Sequence, residues 1–123
     1  MTGNIDHPKH YTSRDIGYEC IDLAQYQTFC VGNAIKYLWR YKDKENPIED
    51  LRKARWYAAR ASVTQETVND RAENCKTILL RLTDSTSGYE CAAWLGLLWN
   101  KWYIVLSALD MLIEEAKNDT QAI

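Results

Sequence analysis

The sequence predicts an all-α domain of about five helices. Three observations lead there. Apolar residues recur at i, i+3, i+4 and i+7 in several windows, the period of an amphipathic helix. Two helix starts carry a capping residue with an acid three positions later, Asn46 with Glu49 and Ser87 with Glu90. No stretch alternates convincingly as a half-buried strand would, and no internal repeat is visible. The length of 123 residues suits one domain spanning 1–123.

Residues 1–15 read as polar and irregular, because Pro8 disfavours a helix around His7, His10 and Tyr11. Helical patterning begins near Tyr18, with Cys20, Ile21, Leu23 and Ala24 on one face. A second helix is expected over 29–41 on Val31, Ala34, Ile35 and Leu38. Asn46 and Pro47 then open a third, with Ile48, Leu51, Ala54, Ala58 and Ala61 on one side. Ser62 and Gln65 have capping-box spacing, which favours a break there. Residues 65–83 carry a 4-3-4-3 stripe of Val68, Ala72, Cys75, Leu79 and Leu82, predicting a fourth helix. A turn at 84–88 leads into a last helix running to about Lys117.

That last helix is apolar on nearly every side from residue 91 to 113. Asn100, Lys101 and Asp110 are costly inside a bilayer, so no membrane partner is expected. A helix apolar all round is otherwise buried all round. The expectation is a homo-oligomer that buries it at a subunit interface, with Lys101 and Asp110 paired across that interface or at its rim.

A hydrophobic share of 46%, with fourteen aromatic residues, excludes a chain too polar to collapse. The net charge of −2 disfavours direct DNA binding. Residues 32–60 nevertheless hold eight Lys/Arg against four Asp/Glu, a net +4, so the remainder carries −6. A local cationic block suits a compact anion better than a long polyanion. Cys20, Cys30, Cys75 and Cys91 show no zinc-type spacing. The first fifteen residues lack the apolar core of a secretory signal, so reduced thiols and a cytoplasmic location are expected.

No P-loop, dinucleotide fingerprint, HExxH or GxSxG occurs. The chemistry-bearing run is Gly32 to Tyr41. Lys36 and Arg40 are four apart and share a helix face, with Asn33 one turn earlier. A point charge, a bidentate fork and an amide are groups that hold phosphate. Trp39 and Tyr37 offer a stacking plane for a base. Lys53, Trp56 and Arg60 repeat the theme on the next helix, with Arg55 turned elsewhere, towards a carboxylate. The plain alternative is a solvated basic face with its aromatics in the core. Glu19 with Asp22, and Glu49 with Asp50, offer carboxylates for Mg²⁺, which binds through one or two acids plus substrate phosphates. That layout is similar to the all-α nucleoside triphosphate pyrophosphohydrolases, although Glu49 and Asp50 lack their i, i+3 spacing. Acids in a helix's first turn also favour the helix dipole directly. His7, His10 and Tyr11 can form a flap over such a site or a solvated tail.

Four segments carry a resemblance over residues 7–60: HPxHY at 7–11, ECID at 19–22, GNAIKYLWR at 32–40 and EDLxKAxWY at 49–57. In these the chain resembles a small phage protein family, labelled as of unknown function or as phage nucleotide kinases. The second label comes from a T7-like phage enzyme that phosphorylates deoxynucleoside monophosphates without a Walker A motif. The resemblance implies a nucleotide-handling protein in the cytoplasm of the infected host cell, most directly a deoxynucleoside monophosphate kinase. It implies a nucleoside triphosphate donor and Mg²⁺, and no zinc, haem or flavin. On it, Lys36 and Arg40 are the catalytic cations that neutralise the transferred phosphoryl group. Lys53 holds a second phosphate, His10 or Tyr11 closes over the base, and Glu19 or Asp22 orients Mg²⁺ or a ribose hydroxyl. Two other classes use the same residues: a protein that binds or sequesters a nucleotide against host defence, and a pyrophosphohydrolase-like enzyme. Residues 62–123 match no known motif.

Overall fold

Each apolar stripe read along the chain needs a partner surface, and six α-helices supply them among the described residues. The structure is a computed structural model and describes residues 14–121. The helices are α1 (Cys20–Ala24), α2 (Phe29–Arg40), α3 (Pro47–Val63), α4 (Cys75–Ser85), α5 (Gly88–Leu98) and α6 (Trp102–Gln121). A 3₁₀ turn at Tyr41–Asp43 follows α2 directly. The all-α expectation holds, with one helix more than expected.

Val31, Ala34, Ile35 and Leu38 bury along α2, as their spacing requires. They face α3, whose Leu51, Ala54, Ala58 and Ala61 are fully buried. Alanines at one-turn spacing let two neighbours approach α3 closely, so it packs against α2 on one side and α6 on another. The packing continues from α6 to α5 and from α5 to α4, while α1 packs on α2 and touches α4. Pro47 sits in the first turn of α3 as expected, although the Asn46 side chain makes no capping bond.

The expected helix over 65–83 is half right. Only α4 is helical; residues 64–74 are irregular. α3 ends in a Schellman motif, with Gln65 left-handed at φ 58°, Glu66 N–H donating to Ala61 O and Gln65 N–H to Ser62 O. Side-chain amides then claim the backbone groups a helix would need. Asn100 accepts from the Val68 N–H (2.6 Å) and donates to the Val68 carbonyl (3.2 Å). Gln27 does the same for Asn69, at 2.8 Å in both directions. The Asn69 carboxamide accepts from Arg71 N–H and Ala72 N–H, a local turn that competes with helix.

The expected all-round apolar helix is divided. Asn100, at φ 56°, ends α5 in a second Schellman motif, with Lys101 N–H donating to Gly96 O and Asn100 N–H to Leu97 O. Asparagine tolerates the left-handed region better than most residues. The two halves fold onto each other, so Ala93, Trp94, Leu97, Val105, Leu109 and Leu112 are buried within one chain. The expected helix is therefore not one continuous 23-residue element, and Trp99, Tyr103 and Met111 remain as exposed apolar residues there. Asp110, expected at an interface, pairs with Arg55 of α3 at 2.9 Å, the carboxylate expected for Arg55. Lys101 is exposed at the corner. No helix among the described residues is long and apolar enough to cross a membrane.

The α5–α6 corner closes on Gly96. A Cβ there would lie 2.8 Å from Val105 Cγ2 and 3.0 Å from the Val105 backbone nitrogen. Gly96→Ala is expected to lower stability by about 1–3 kcal/mol through overpacking, despite alanine's better helix propensity. Urea unfolding checks it; a midpoint at or above the parent's would contradict the close approach.

Candidate functional site

The hairpin of α2 and α3 brings the cationic block of 32–60 onto one surface. At its centre is Tyr37. Lys36 Nζ lies 5.0 Å from the ring centroid, the Arg40 guanidinium carbon 5.0 Å and Lys53 Nζ 5.4 Å. Cations within about 6 Å of a ring are attracted by its quadrupole. Tyr37 stacks on Tyr57 of α3 at 6.0 Å and 11°. Phe29 and Trp56 each meet Tyr57 edge-on, at 5.8 and 5.1 Å. Four aromatic rings and three cations thus form one cluster.

The cations are not equivalent. Arg40 donates from Nε to Asp50 Oδ2 at 3.1 Å, and Asp50 is only 3% exposed. This guanidinium is fixed by a buried partner. Lys53 reaches Glu49 at 3.0 Å, an exposed i, i+4 pair. The hydrogen bond to Glu49 is the main cause holding the Lys53 ammonium above its ordinary value, and the same bond holds Glu49 below its own. Lys36 has no carboxylate partner among the described residues, and lines a groove. That groove, about 400 Å³, lies between α1 and α2, with Asn33 and Phe29 also on its wall. A second depression, about 470 Å³, is lined by Arg52, Lys53 and Trp56.

Lys36, Arg40 and Lys53 therefore come together as expected, with Asn33 one turn away and Trp56 on the same cluster. Trp39 does not join them. It is 1% exposed and packs edge-on against Trp94 at 6.3 Å in the core, so it offers no face to a base. The signal was present: Val31, Ile35 and Trp39 are spaced i, i+4, i+8 on the buried face. The exposed stacking faces belong to Phe29 and Trp56, at 74% and 61% exposure. His7, His10 and Tyr11 lie outside the described residues.

Glu19 and Asp22 form a reciprocal capping box at the start of α1, with the Glu19 N–H donating to Asp22 Oδ2 at 2.8 Å. That arrangement is a helix start, and it engages one Asp22 oxygen with the Glu19 N–H. Among the described residues no group of three or more His, Cys, Asp or Glu gathers where a metal could be held. All four cysteines are free, three of them buried. Burial is the main cause pushing the Cys20 thiol up to about 12, so it is inert as a nucleophile near neutral pH.

Sequence reasoning missed a second polar centre. Ser87 makes no side-chain cap bond, and Glu90 turns inward to 5% exposure. Glu90 Oε2 accepts from Arg14 and from Trp94 Nε1 (3.1 Å), while Oε1 meets Lys42 Nζ at 2.8 Å and accepts from the Tyr41 hydroxyl. Burial raises the Glu90 carboxyl, but Arg14, Lys42 and the Trp94 hydrogen bond outweigh it, and the group sits below its ordinary value. Arg14 also donates to the Leu38 and Trp39 carbonyls, satisfying the end of α2, with its guanidinium near the Trp39 and Trp94 rings. Nothing local links residues 14 and 90, so spacing could not reveal the pair.

Residues 5–59 match the model of a family described as proteins of unknown function, DUF3310. The matched stretch ends inside α3, so it contains α1, α2 and the cation–aromatic cluster, and leaves α4–α6 outside. No curated protein and no solved structure matches the chain significantly.

Proposed function

We propose that this chain is a nucleotide-binding protein whose phosphate site is the α2–α3 cation cluster. The observation that carries the reading is the convergence of Lys36, Arg40 and Lys53 around one stacked tyrosine. Phosphate needs charge and donors, a base needs exposed π faces, and this surface supplies both within a few ångströms. The fixed Arg40 gives a preorganised fork, and Lys36 a cation with no carboxylate partner among the described residues. The resemblance supplies the reaction to test, phosphoryl transfer from a nucleoside triphosphate to a deoxynucleoside monophosphate. Such transfer rests mainly on positioning and charge neutralisation.

Lys36→Ala tests the site most cleanly, because Lys36 holds no ion pair among the described residues whose loss would disturb the fold. Removing one charge-assisted phosphate contact should cost about 1.5–3 kcal/mol of binding, tenfold or more in Kd. Helical circular dichroism should be unchanged. Calorimetry with each deoxynucleotide reads the binding, and product chromatography with ATP reads turnover. Parent-like affinity in Lys36→Ala would remove the site; binding without a diphosphate product would leave a binding protein and remove the kinase.

A further inference from the structure

We propose that the groove between α1 and α2 is the seat of the nucleobase, so that the ligand is recognised at its base and not through its phosphates alone. This rests on the nucleotide reading above and adds the half of the ligand that the cations cannot recognise.

Lys36 belongs to both places: it lines the groove and sits 5.0 Å from the Tyr37 ring of the cation cluster. A ligand with its phosphates on the cluster therefore has its uncharged end at the mouth of the groove. The volume of about 400 Å³ falls within the range of small-ligand pockets, roughly 300–1,000 Å³. Its chemistry suits a flat heteroaromatic ring. Ile21, Ala24 and Gly32 give an apolar lining, and any side chain at Gly32 would project towards Ala24 O, 3.4 Å from a Cβ built there. Phe29 stands at the wall, held edge-on by Tyr57 yet 74% exposed, an uncovered ring ready for stacking. Two amides supply the polar edge. Gln25 is exposed, and its carboxamide has no hydrogen-bond partner among the described residues. Asn33 donates its NH₂ to the Phe29 carbonyl, which leaves its amide oxygen to accept from a base. An apolar slot with an aromatic wall, carboxamides at its edge and a lysine at its mouth complements a nucleoside phosphate. A purely apolar peptide would leave the amides and the lysine unmatched.

The experiment compares binding of the four deoxynucleoside triphosphates and of inorganic tripolyphosphate by calorimetry. The proteins are the parent, Phe29→Ala, Gly32→Val and Lys36→Ala, each checked by circular dichroism. The parent should bind its preferred deoxynucleotide about tenfold or more above tripolyphosphate, as stacking of one base supplies. Phe29→Ala and Gly32→Val should reduce that preference to about twofold and leave tripolyphosphate binding unchanged. Phe29 is largely exposed, so its variant keeps the test valid should Gly32→Val fail to fold. If both folded variants keep the parental preference, the base sits elsewhere and this inference is overturned, while a loss in Lys36→Ala still supports the phosphate site. Equal parental affinity for tripolyphosphate and deoxynucleotides overturns the base seat alone. No parental binding of either overturns both readings.

Discussion

Glu90→Ala should destabilise the protein by about 3–5 kcal/mol, because it strands the Arg14 guanidinium at 8% side-chain exposure without its counter-charge. The loss reaches further than one pair. Glu90 ties together residue 14, the 3₁₀ turn through Tyr41 and Lys42, and Trp94 of its own helix. Arg14 in turn closes the carbonyl end of α2. Glu90→Gln should fall between, since it keeps hydrogen-bonding capacity and loses charge. The pH dependence has a definite sign. The folded carboxyl lies below its ordinary value of 4.5, so its contribution is fully present above that pH. It is lost as pH falls through the depressed folded value, and the gap between parent and Glu90→Gln should narrow there. Urea titrations at neutral pH and at pH values below 4.5 read both effects. Equal midpoints for parent and Glu90→Ala at neutral pH would contradict the hub.

Asp50→Ala should cost about 3 kcal/mol, the lower end for breaking a buried pair, because the Arg40 side chain keeps 14% exposure. Arg40→Ala should destabilise comparably, leaving a carboxylate almost fully enclosed. The two cations of the GNAIKYLWR run therefore differ experimentally. Lys36→Ala should weaken nucleotide binding at constant stability, whereas Arg40→Ala should lower both. Thermal melts run beside calorimetry separate the two. A stable Asp50→Ala protein would show that the pair contributes little to the fold.

Local periodicity made α2 and α3 legible. Val31, Ala34, Ile35, Leu38, Leu51, Ala54, Ala58 and Ala61 all bury as their spacing requires. The same rule failed at 64–74, because Val68 and Ala72 fit a helical stripe while the connector's backbone bonds are set by Gln27 and Asn100, far away in sequence. It failed again at Asn100, where apolar residues continue on both sides of the break. The cue there was conformational, an asparagine able to turn left-handed and a glycine at the crossing. At the candidate site, i, i+4 spacing placed Lys36 with Arg40 correctly but could not tell an available cation from one held by Asp50. Trp39 reads as a stacking plane by residue type alone, whereas its spacing from Val31 and Ile35 places it on the buried face. The Glu90 hub joins positions 76 apart, beyond any local pattern.

The clasping of Val68 and Asn69 also bears on where the chain can be cut. Residues 64–74 are the longest irregular stretch among the described residues, and such a stretch ordinarily invites nicking. A protease must draw several residues out in extended form to reach one bond. Here two consecutive residues, Val68 and Asn69, are each held at both N–H and C=O by carboxamides rooted in other parts of the fold, and the Val68 side chain is itself buried. Freeing this segment means releasing Gln27 beside α2 and Asn100 at the α5–α6 corner together. Cleavage at 68–69 is therefore expected to need the release of both carboxamides, so that limited proteolysis should cut there more readily once Gln27 or Asn100 is replaced by alanine.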